Sequence, residues 1–79
     1  MGNFQDLETM IEILGLAIAR QEAEEEFFRR SAHASSNEVA QSLFTEIADD
    51  MKAYVENLEQ RKRKLLEALV ELTAAEKND

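Results

Sequence analysis

The sequence predicts an all-α protein: an antiparallel two-helix hairpin that covers its apolar surface only when two hairpins close into a four-helix bundle. Three observations carry this. The 79 residues include no proline and two glycines, and are 44% hydrophobic and 33% charged, a composition that sustains long helices and lacks the frequent turn residues of a sheet. Apolar residues recur in steps of three and four through both halves, the spacing of one side of an α-helix. One polar, small-residue stretch, residues 31–37 (SAHASSN), separates those halves.

The first helix is expected over about residues 4–32. Its seam reads Phe4, Leu7, Ile11, Leu14, Ile18, Gln21, Glu25, Phe28 and Ala32, and Met10, Ile13, Ala17 and Phe27 widen the stripe. A bundle helix needs that extra width because it touches two neighbours. Asn3 is the expected N-cap, with Asp6 in the first turn where the helix dipole favours an acid. Gly15 falls mid-helix, where glycine costs about 1 kcal/mol relative to alanine, and a close approach of the second helix would explain it.

A loop at residues 33–35 follows, with His33 exposed in it. Ser35 and Glu38 have capping-box spacing, which starts the second helix at about Ser36 and carries it to about residue 76. Its seam reads Phe44, Ile47, Met51, Tyr54, Leu58, Arg61, Leu65, Ala68 and Leu72, which places Tyr54 in the core. A short link makes the helices antiparallel neighbours and pairs positions whose numbers sum to about 69. Ile18 then meets Met51, and Phe4 meets Leu65. Beyond Leu65, the apolar residues Leu66, Leu69, Val70 and Leu72 overhang without an intrachain partner.

Composition narrows the function. A chain this short, read as a single domain over 1–79, buries little surface and commonly needs disulfides, a metal or association to be stable. It has no cysteine and one histidine, which leaves association as the common route. The formal charge of −8 opposes binding to nucleic acid or anionic membrane. No stretch approaches the roughly 20 apolar residues of a membrane span. No basic residue precedes the first apolar run, so no secretory signal is read, and the expected location is cytoplasmic. Met1-Gly2 opens like a myristoylation site, but position 6 is Asp6 where Ser or Thr is expected.

Two segments, AIARQEAEEEFFRRSA in the first helix and NEVAQSLFTEIADDMKAYVENL in the second, span residues 17–58. They resemble the two-helix repeat of the ferritin-like superfamily, closest to rubrerythrins and two-helix encapsulated ferritins. The resemblance covers about half the chain and is largely core spacing. It implies a ferritin-like bundle in which a carboxylate from the first helix and a Glu-x-x-His pair from the second combine across two repeats to hold two irons. In this sequence those positions read Gln21, Asp50 and Ala53, so by this alignment the di-iron site is lost. Glu22, Glu25, Glu46 and Asp50 remain as candidate metal ligands, with iron the metal implied. Against that stands a solvated acidic surface in which Glu25–Arg29 and Glu26–Arg30 have i,i+4 ion-pair spacing.

Gln21, Glu25 and Arg61 interrupt the apolar seams as a polar layer that sets register. The one basic cluster, Arg61, Lys62, Arg63 and Lys64, is expected to pair with Asp6, Glu8, Glu59 and Glu67. No nucleophile–base pair, phosphate loop or cofactor motif is present. The expectation is a non-catalytic structural or interaction protein that forms a homodimer or higher oligomer, with no cofactor. The alternatives are an iron-binding or ferroxidase-type protein with a carboxylate site across the dimer, and a module whose residues 66–72 capture a helix of another protein.

Overall fold

A computed structural model describes the backbone of residues 3–77 and the side chains of residues 4–75. Met1, Gly2 and the Asn3 side chain, on which the myristoylation and N-cap readings rest, lie outside the described residues. Helix α1 (Asn3–Ala34) runs 32 residues and α2 (Glu38–Lys77) runs 40, with no strand among the described residues. They fold as a hairpin measuring 64 × 14 × 14 Å. The radius of gyration is 18.1 Å, whereas a compact chain of this length would have about 12 Å. The molecule is a rod two helices thick.

The loop is residues 35–37, two residues later than the sequence suggests. Ala32, His33 and Ala34 contain nothing that breaks a helix, so α1 continues through them. The helix ends where the Ser35 backbone N–H donates to the carbonyls of Ser31 (3.1 Å) and Ala32 (3.3 Å). His33 is therefore an exposed residue of the last turn of α1. Asn37, not Ser35, caps α2: its Oδ1 accepts the Ala40 N–H at 3.0 Å, the third amide of the helix. Ser35 instead shapes the loop, its Oγ accepting the Asn37 N–H at 3.3 Å. The Gln41 side-chain amide donates to the Ser35 carbonyl at 2.6 Å.

Moving the loop moves the register. Phe28 stacks on Phe44 with ring centroids 6.0 Å apart, and Ile18 packs with Val55 and Leu58. The helices therefore pair about three to four residues further along α2 than the sum-to-69 reading, so Ile18 meets Val55 rather than Met51. Leu65, Leu69 and Leu72 are partly buried as a result, while Leu66 and Val70 stay exposed, so half of the expected overhang is absorbed.

The α1 seam is as read: every position from Leu7 to Ala32 is buried or partly buried, while Phe4 in the first turn is more open. On α2 alternate positions shift by one. Phe44, Met51, Leu58, Leu65 and Leu72 face α1 as expected, but Ala48, Val55 and Lys62 join them in place of Ile47, Tyr54 and Arg61, and Leu69 is partly buried beside the expected Ala68. Successive residues of a helix are about 100° apart, so only one of these flanks can face α1. Tyr54 is 52% exposed and is not core.

Among the described residues only Ile18, Ala48, Val55 and Leu58 are buried. Gly15 does not mark a close approach. A methyl group there would stand 3.7 Å from the Lys62 Nζ, an ordinary contact with the tip of a flexible side chain. Gly15→Ala should therefore stabilise the fold by about 0.5–1 kcal/mol through helix propensity. Urea denaturation measures this directly, and a loss of stability would show that the site needs glycine.

Candidate association surface

The heptad positions divide the hairpin into two unlike faces. Beside the α1 seam run Met10, Ile13, Ala17, Arg20, Glu24 and Phe27, again in steps of three and four. Beside the α2 seam run Leu43, Ile47, Asp50, Tyr54, Asn57, Arg61 and Lys64 in the same rhythm. Met10, Ile13, Leu14, Arg61, Lys64 and Leu65 line one shallow groove, which puts both rows on the same side of the hairpin. Six large apolar side chains stand open on it: Met10, Ile13, Phe27, Leu43, Ile47 and Tyr54, each 37–58% exposed. Buried, each aliphatic or aromatic side chain would gain about 1.5–3 kcal/mol relative to water.

The opposite face is polar. Arg29 bridges it, bonding Glu25 Oε2 through Nε at 2.9 Å and Asp49 Oδ1 through Nη2 at 3.1 Å. The hydrogen bond to Glu25, then that to Asp49, raises the Arg29 pKa above its ordinary value. The contact orients the helices near the loop and occupies the seam carboxylate Glu25. Arg30 pairs with Glu26 at 3.6 Å, so both i,i+4 pairs read in the sequence form. Further along this face Gly15, Glu59, Lys62, Arg63 and Leu66 line a second groove. Its large exposed apolar residues are Leu66 and Val70, near the open end. Among the described residues, Arg61, Lys62, Arg63 and Lys64 form no ion pair within 4.0 Å, contrary to expectation. The register shift accounts for part of this, since it moves the cluster away from Asp6 and Glu8.

The candidate metal ligands do not converge. Glu25 is partly buried in the seam and held by Arg29, and Glu22 is exposed on the polar face. Glu46 and Asp50 are exposed, Asp50 on the apolar face. Of the di-iron positions, Gln21 is partly buried while Asp50 and Ala53 are exposed. Among the described residues no three Asp, Glu, His or Cys side chains gather into a metal-binding group. Within one hairpin this donor set does not fit a di-iron centre. Among the described residues no helix is long and apolar enough to cross a membrane.

The apolar face itself was half legible. In the sequence Met10, Ile13, Ala17 and Phe27 already form a widened stripe, whereas the spacing of Ile47 and Tyr54 places them in the seam. Comparison with protein-family models, curated proteins and solved structures finds no match for this chain.

Proposed function

We propose that this chain is a non-catalytic structural or interaction protein that folds and associates in one step as a homodimeric, ferritin-like four-helix bundle. The observation that carries the reading is the single face bearing six open apolar side chains on a hairpin with four buried residues among those described. Ordering each residue costs about 1–2 kcal/mol, and so small a core offsets little of that. Packing this face against a second copy supplies the missing burial without a different protein. The dispersed carboxylates support a structural role over an iron-binding one.

Thermal melting across a range of protein concentrations, with and without ferrous iron, tests both parts. Coupled folding and association makes Tm rise with concentration, and a chain without a resident metal leaves Tm unmoved by iron. A concentration-independent Tm would overturn the dimer, and strong stabilisation by iron would overturn the non-metal role.

A further inference from the structure

We infer that the two copies meet with their loops at opposite ends, α2 lying antiparallel on the second copy's α2 about a two-fold axis at Asn57. This rests on the homodimer reading and adds its orientation.

The outward row of α2 on the apolar face places Asp50, Asn57 and Lys64 one heptad apart, all three exposed. A residue on a two-fold axis meets its own copy, so a charge there would face a like charge. Asn57 is a neutral amide that can both donate and accept a hydrogen bond with its twin. Seven residues, about 10 Å, to either side of the axis, Asp50 of each copy comes level with Lys64 of the other. In the adjacent row Tyr54 comes within one residue, about 1.5 Å, of the level of Arg61 of the second copy, a pairing that suits a guanidinium over an aromatic ring. A two-fold axis that makes the loops coincide would instead lay α2 on the second copy's α1. By the pairing of Ile18 with Val55, Asp50 would then come level with residue 23, beside Glu24, and Arg61 and Lys64 with residues 12 and 9, beside Ile13 and Met10. A like charge opposite Asp50 and two cations over apolar side chains disfavour that arrangement.

Length agrees. Asn57 has 19 residues of α2 before it and 20 after, so an axis there overlaps the two hairpins over their whole length.

The chain has no cysteine, so single spin labels can be placed on Ser36→Cys in the loop and on Gln60→Cys, exposed on the outer side of α2 near its middle. Pulsed electron–electron distance measurements on each labelled dimer read the orientation. Ser36 lies 21 residues from Asn57, so its two labels should stand about 60 Å apart, and the Gln60 labels less than about 30 Å apart. A Ser36 separation below about 25 Å would reverse the orientation and leave the dimer intact. A Gln60 separation well above about 30 Å would move the axis away from Asn57. No intermolecular distance from either variant would remove the dimer itself, and this inference with it.

Discussion

Leu58→Ala and Ile18→Ala should each destabilise the protein by about 2–5 kcal/mol, the range for truncating a buried large aliphatic residue. These side chains are 7% and 8% exposed and pack on each other with Val55, while Leu14 and Ala17 close the cluster. With so few buried residues, no second core takes over the lost contacts. Leu16→Ala is the matched control, because Leu16 is 74% exposed and lies outside both the seam and the apolar face. Its replacement should change stability by less than about 0.5 kcal/mol. Chemical denaturation of the three variants at one protein concentration measures the contrast. Equal losses at all three positions would mean that the seam is misplaced.

The double variant Ile13→Glu, Ile47→Glu should weaken association at least about a hundredfold. Neither residue is in the hairpin core: Ile13 is 58% exposed and Ile47 37%. A free hairpin would tolerate carboxylates there at little cost. In the proposed dimer both positions lie between copies, and burying each isoleucine is worth about 1.5–3 kcal/mol, while an unpaired buried carboxylate is strongly penalised. Four sites per dimer make a hundredfold, about 2.7 kcal/mol, a lower bound. The same two glutamates on the polar face, for example at Ala19 and Thr45, should leave association within about threefold of wild type.

What could be read in advance follows from how the apolar residues are distributed. Along α1 the residues on the polar side of the seam are Glu8, Glu12, Gly15, Ala19, Glu22, Glu26 and Arg29, so the period alone fixes which side packs. Along α2 apolar residues occupy both flanks, as Ile47 beside Ala48, Tyr54 beside Val55 and Ala68 beside Leu69. Periodicity cannot choose between those flanks. The turn at residues 35–37 and the packing of Ala48 and Val55 make that choice, and Ile47 and Tyr54 are left open on the apolar face. The register was missed for a related reason. Residues 31–34 are small and polar but not helix-breaking, and both Ser35 and Asn37 can cap, so the loop could not be placed to the residue. The ion pairs within α1 depended only on i,i+4 spacing and were legible. The Arg29–Asp49 contact between helices required the register.

Coupled folding and association is the central claim, and sedimentation equilibrium of the wild-type chain at micromolar concentration tests it most directly, with the Ile13→Glu, Ile47→Glu variant alongside. The expected result is a mass of twice the 9.0 kDa chain or a higher multiple for wild type, and a shift to single chains for the variant. A wild-type monomer that stays helical and melts cooperatively would contradict it.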